Sequence, residues 1–233
     1  MEFDKDTLAG AQAAFSIAAR MVQLEPSEEW VRTCIDENLF EESPFGMDDA
    51  AVVDGLAKLS AWCEASRENV AEATGDVQRE WLRLFMGLGE PLAPVWEAVY
   101  TETNGSMRGR CTLEVRSAYR TWGLEYENKA HEPEDALGLM LAFCAHLMEQ
   151  ELIGLEAGCE NASGRAAKAL EEFMVKHMLP WASAWRFLVQ EHAKTDYYRG
   201  VGEFVFGLER AYVRRFGIEC NTEDGTFSYV KQA

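Results

Sequence analysis

Apolar side chains recur every three to four residues along nearly the whole of this chain, and that period leaves little room for anything but packed helices. Leu8, Ala11, Phe15, Ala18 and Val22 make one stripe. Pro26 followed by Glu28 and Glu29 reads as a second helix start, with carboxylates at the positive end of the dipole. Val52, Leu56, Leu59 and Cys63 make a third stripe. Val70, Val77, Trp81, Leu84 and Phe85 make a fourth, stopped at Gly87. A short helix is expected over 96–102. Another, over about 111–122, presents Val115, Tyr119 and Trp122 and ends at Gly123. The strongest stripe, Leu137, Leu141, Cys144 and Met148, is expected to begin at Pro133. Leu170, Phe173 and His177 continue the pattern. Pro180 opens a helix with Trp181, Trp185 and Leu188. Asp196 is expected to cap a last helix carrying Tyr197, Val201, Phe204, Leu208 and Tyr212.

Alternating Val/Ile/Thr runs are scarce, and Asn104-Gly105 lacks strand-like flanks, so no sheet is expected. The fold class is therefore all-α, a single helical domain of about 9–11 helices in two lobes. Gly87, Gly89, Pro91 and Pro94 exclude regular helix over 87–95, and 103–110 is the most loop-like interior stretch. The expected division is an N-terminal lobe (1–102), a connection that carries a helix (103–132), a C-terminal lobe (133–217) and an irregular tail (218–233).

Charge narrows the partners. Forty acidic residues against 22 basic ones give a net charge of −18. Nucleic acid and anionic membrane surfaces are excluded as partners, whereas a basic peptide fits; solubility alone is the other reading of the same number. The six cysteines, Cys34, Cys63, Cys111, Cys144, Cys159 and Cys220, form no CxxC pair and read as small hydrophobes in a reducing compartment. Met1-Glu2-Phe3-Asp4 lacks the basic start of a secretory signal, and no run of 18 uninterrupted apolar residues is present, so the chain is expected to stay in the cytoplasm.

Sites for catalysis or cofactors are not evident. His131-Glu132 starts like a zinc-binding HExxH, but Asp135 stands where the second histidine belongs. Gly87-Leu88-Gly89 follows a helix and precedes no Gly-Lys-Ser/Thr, so no phosphate loop forms. No cofactor, metal or catalytic residue is expected.

Three clusters carry the functional reading. Trp81 to Gly87 runs into Pro91, Pro94, Trp96, Glu97 and Tyr100, aromatics and prolines dense enough to wall an apolar cleft or to fill a core. Glu132-Pro133-Glu134-Asp135 places three carboxylates at a helix start. They either cap local N–H groups or present oxygens to the forked donors of an arginine. His177-Met178-Leu179-Pro180-Trp181 reads as a packed corner between helices.

In order and spacing these segments resemble the TorD/DmsD/NarJ family of redox-enzyme maturation chaperones. The likeness covers roughly residues 75–215. It rests on Leu84-Phe85, Pro94-x-Trp96-Glu97-x-Val99-Tyr100, Val115, Tyr119, Gly123-Leu124, Glu132-Pro133-x-Asp135, Lys176-His177-x-Leu179-Pro180-Trp181 and Tyr197-Tyr198. The resemblance implies a non-enzymatic chaperone that binds the twin-arginine leader of a molybdenum-cofactor oxidoreductase subunit, or the N-terminal tail of a non-exported one. It implies a hinge near 103–132 and places Leu84, Trp96, Glu97, Tyr100, Glu132, Pro133 and Asp135 at or beside the peptide groove. The long loop at 103–110 permits either a monomer or a swapped dimer. Ala136 departs from the family, which often has histidine there. Guanine nucleotide, associated with some members, is not expected without a phosphate loop. The rivals from other classes are a nucleotide hydrolase and a purely structural helical adaptor.

Overall fold

The computed structural model describes residues 5–87, 89–102, 109–126 and 132–219. Expectations for 103–108, for His131 and for the tail beyond 219 fall outside them. The described residues form ten α-helices: α1 (Lys5–Gln23), α2 (Glu28–Asp36), α3 (Ala50–Ser66), α4 (Val70–Trp81), α5 (Glu97–Thr101), α6 (Arg110–Thr121), α7 (Leu137–Glu156), α8 (Glu160–Phe173), α9 (Ala182–His192) and α10 (Asp196–Phe216). Among these residues the one β-type pairing outside helices is a single antiparallel bridge, Trp96 to Ala136.

The helices start where the backbone can be capped. Ser27 accepts the Trp30 N–H before α2, and Asp49 accepts the Ala51 N–H before α3. At α10 the cap is Thr195, whose hydroxyl accepts the Tyr198 N–H. The expected cap, Asp196, is the first helical residue and pairs instead with Arg199 at 3.1 Å. Glu80 of α4 reaches across and accepts the N–H groups of Lys194 and Thr195, tying α4 to the start of α10.

Two helices end in a wider coil. α4 runs into a π-helical turn, Leu82–Met86, and α8 into another, Met174–Met178. In each, an amide bonds a carbonyl five residues back: Gly87 to Leu82, and Leu179 to Met174. Such turns often lie at functional sites.

The core is continuous. α1 packs on α7, and α3 on α10, so helices of the expected first lobe close against helices of the second. One hydrophobic cluster extends from Leu8 to Ile218. Close approach requires glycine at the α3–α10 crossing, where a Cβ on Gly55 would lie 2.6 Å from the Phe204 nitrogen. α7 is long and apolar enough to cross a membrane by length and composition, but 61% of that window is buried in the fold. It is the central helix, with α1 and α8 packed on its sides. Cys34, Cys63, Cys111 and Cys144 are buried, as expected, while Cys159 is exposed.

Candidate functional site

Two neighbouring stretches and a third some way along the chain meet at one seam. The first is the π turn after α4. At Gly87 the backbone takes φ +64°, a conformation that suits glycine, and the chain doubles back. The Leu92 and Ala93 amides then bond the Arg83 and Leu84 carbonyls at 3.3 and 2.8 Å. The second and third stretches, 93–101 and 132–137, pair with each other. The Glu97 N–H donates to the Asp135 carbonyl at 3.1 Å, and the Leu137 N–H donates to the Val95 carbonyl at 2.7 Å.

That pairing moves the start of α7. The expected start was Pro133, but helix begins at Leu137. Residues 133–136 form a turn closed by the Ala136 N–H on the Pro133 carbonyl at 3.3 Å. Ala136 offers α7 no side-chain cap. Asp135 does not cap the helix that follows it. Its Oδ2 accepts the Ala98 N–H at 2.9 Å and so caps α5, 37 residues earlier in the chain. Its Oδ1 makes no hydrogen bond of good geometry; nor does the buried Thr112 hydroxyl.

The side chains complete a buried polar cluster. Both Glu97 oxygens lie 3.0 to 3.1 Å from Nδ1 of His177, which stands in the π turn after α8. Tyr100 stacks on Trp181 with centroids 4.9 Å apart, and its hydroxyl donates to the Pro94 carbonyl. The Trp181 indole N–H donates to the His177 carbonyl at 2.6 Å. Glu132 accepts from the Gln23 amide and the Tyr126 hydroxyl. Glu134 takes the guanidinium fork of Arg116, Nε on Oε1 and Nη2 on Oε2 at 2.9 Å. The Tyr119 hydroxyl donates to the Glu134 carbonyl.

Burial governs the electrostatics here. Desolvation pushes the Glu97 carboxyl above its ordinary value, against the pull of His177. It pushes Asp135 up against the Ala98 N–H, and Glu132 up against Gln23. A carboxylate in this seam therefore gains by acquiring a cation.

The seven residues singled out in the sequence thus come together, but not as walls of an open cleft. Leu84, Trp96, Glu97, Tyr100, Glu132, Pro133 and Asp135 are all buried, Leu84 and Asp135 completely. Trp96 and Tyr100 belong to the hydrophobic core, and the Tyr100 ring stacks on Trp181. Sequence reasoning did not select Glu134, which makes the bidentate arginine contact, or its partner Arg116. The two lie 18 residues apart, with no local periodicity linking them. It also did not pair His177 with Glu97, 80 residues away. The buried Cys111 is more than a small hydrophobe, since its Sγ lies 3.8 Å from Asp135 Oδ2.

Both paired stretches of the seam lie inside residues 48–186, the part of the chain that matches the model of the nitrate reductase delta subunit family. The chain belongs to this family. Among curated relatives, the Tat proofreading chaperone DmsD of Salmonella typhimurium is 27% identical over 151 residues, 64% of each chain. The chaperone protein TorD of Vibrio cholerae is 25% identical over 158 residues, 66% of this chain and 64% of its own. A perchlorate reductase assembly chaperone protein of Dechloromonas aromatica is 25% identical over 170 residues, 72% of this chain and 74% of its own. The chain spans only about half to two thirds of the length of the DmsD relatives it matches, 53% for that of Salmonella paratyphi A. Within the delta subunit family match lie all seven candidate residues, Arg116, Glu134 and His177; Tyr197-Tyr198 lies beyond it.

Proposed function

We propose that the chain is an assembly chaperone without enzymatic activity, acting in the cytoplasm on a molybdenum-cofactor oxidoreductase subunit. It binds that subunit's twin-arginine leader and delays export until the cofactor is in place. The supporting observation is the convergence of the seam residues within the family-matched stretch, in a chain whose relatives are named as chaperones. The net charge of −18 favours encounter with a basic leader.

The closed seam sets the mechanism. The leader reaches Glu97, Glu132 and Asp135 when 132–136 separates from 95–98, which breaks the two backbone bonds and the Asp135 cap on Ala98. Leu84, Trp96 and Tyr100 then cover the apolar part of the leader, and Pro133 keeps the acidic turn rigid. A leader guanidinium meets carboxylates whose charged form burial disfavours, and its charge offsets that cost. Each charge-assisted bond contributes about 1.5–3 kcal/mol, against about 0–1 kcal/mol for an exposed pair.

A second reading has one observation in its favour. The matched family is described by a reductase subunit rather than by a leader. In that reading the client is not exported and the seam holds an N-terminal tail lacking the arginine pair. Calorimetric titration with a leader peptide and its Arg-to-Gln counterpart separates the two. The first reading requires the arginine pair for tight binding; equal affinity for both peptides favours the second, and no binding of either rejects both.

A further inference from the structure

Every carboxylate of the acidic turn already has an occupant from this chain, and one occupant has the same chemistry as the proposed ligand. Glu132 is held by Gln23 and Tyr126, and Asp135 by the α5 amide. Glu134 is held by a guanidinium in two-pronged contact, the geometry by which a leader arginine would bind. The two partners differ in access. The Glu134 side chain is 3% exposed, whereas that of Arg116 is 32% exposed. The carboxylate is therefore fixed in the wall of the seam, while the guanidinium reaches it from the solvent side. Arg116 stands on α6, and the Tyr119 hydroxyl one turn along holds the Glu134 carbonyl, so the acceptor keeps its position if Arg116 swings away.

We infer that Glu134 reads an arginine of the client leader and that Arg116 is its resident competitor, a guanidinium of the chain itself that plugs the site until a leader displaces it. This rests on the leader-binding reading above. The exchange of one fork for another conserves the burial and pairing of Glu134, so no unpaired buried charge forms along the way. It also makes the site selective. A lysine or other cation that cannot form the fork loses to Arg116, whereas a leader arginine competes on equal terms and gains from its neighbour in the pair.

The test is calorimetry on the full chain with three synthetic leader peptides, carrying the arginine pair, a lysine pair or a glutamine pair. Arg116→Lys keeps a positive charge beside Glu134 but removes the fork. It should tighten binding of the arginine peptide about tenfold and leave the glutamine peptide unchanged. Glu134→Gln should lower the preference for arginine over lysine by about tenfold or more. Thermal melts establish that each variant is folded; should Glu134→Gln fail to fold, Arg116→Lys alone decides. An arginine-peptide affinity that is unchanged or weaker in folded Arg116→Lys overturns the inference and leaves the chaperone reading intact. No binding of any peptide by the unaltered chain overturns both.

Discussion

Glu209 of α10 is 1% exposed, and its Oε2 finds no hydrogen-bond partner among the described residues. Burial raises its carboxyl from the ordinary 4.5 to about 8. At neutral pH the folded protein therefore holds a proton that the unfolded chain has released. Stability is greatest below about pH 4.5 as far as this group is concerned, and is lost as pH rises through about 8. Each pKa unit is worth about 1.4 kcal/mol, so the full window amounts to about 5 kcal/mol, a sizeable share of the stability of a domain. Glu209→Gln keeps the shape and removes the titration. Urea denaturation followed by circular dichroism, at about pH 5 and about pH 8, measures the difference. The variant should gain about 3–5 kcal/mol over the parent on going from the lower pH to the higher. Glu151, raised by desolvation to about 7, titrates in the same window but is present in both proteins and cancels. Parallel pH profiles for the two proteins would refute the argument, since they would mean that Glu209 ionises normally in the fold.

Thr195→Ala removes the cap of α10 and should cost about 1 kcal/mol in the same denaturation assay. Gly55→Ala places a methyl 2.6 Å from the Phe204 nitrogen at the α3–α10 crossing, so it should cost about 3 kcal/mol or more and lower the melting temperature. Asp135→Asn retains an acceptor for the Ala98 N–H and should stay within about 1 kcal/mol of the parent, whereas Asp135→Ala should lose about 1–3 kcal/mol. Leader affinity measured by calorimetry should fall as salt rises, to the extent that the seam remains reachable by ions.

Much of the fold is legible in the sequence because helix burial follows from local periodicity. The stripes of α1, α3 and α10 are buried side chain for side chain, and Gly87 and Gly123 end their helices with positive φ. What the sequence misassigns is decided by contacts across the chain. Pro133 is an acceptable first helical residue, but the pairing of Ala136 with Trp96 holds 133–136 in a turn and delays α7 to Leu137. Thr195 and Asp196 are both acceptable caps; Glu80 fixes the amide of Thr195, and Asp196 turns to Arg199. The candidate site divides in the same way. Its members could be named, since motif spacing survives in the chain. Their burial could not, because it depends on Leu92 and Ala93 folding back onto Arg83 and Leu84 and on Trp181 receiving Tyr100. The partnerships of Glu134 with Arg116 and Glu97 with His177 join segments that no local pattern connects.

The most direct measurement is amide hydrogen exchange with and without a twin-arginine leader peptide. The amides of Glu97, Ala98 and Leu137 close the seam, and those at the centre of α7 serve as the reference. In the free protein the seam amides should exchange faster than the α7 core, since opening there is local. Adding leader should change the protection of the seam amides while leaving the middle of α7 as it was. A leader that binds, yet alters protection only at a distant surface and leaves Glu97, Ala98 and Leu137 untouched, would contradict the account.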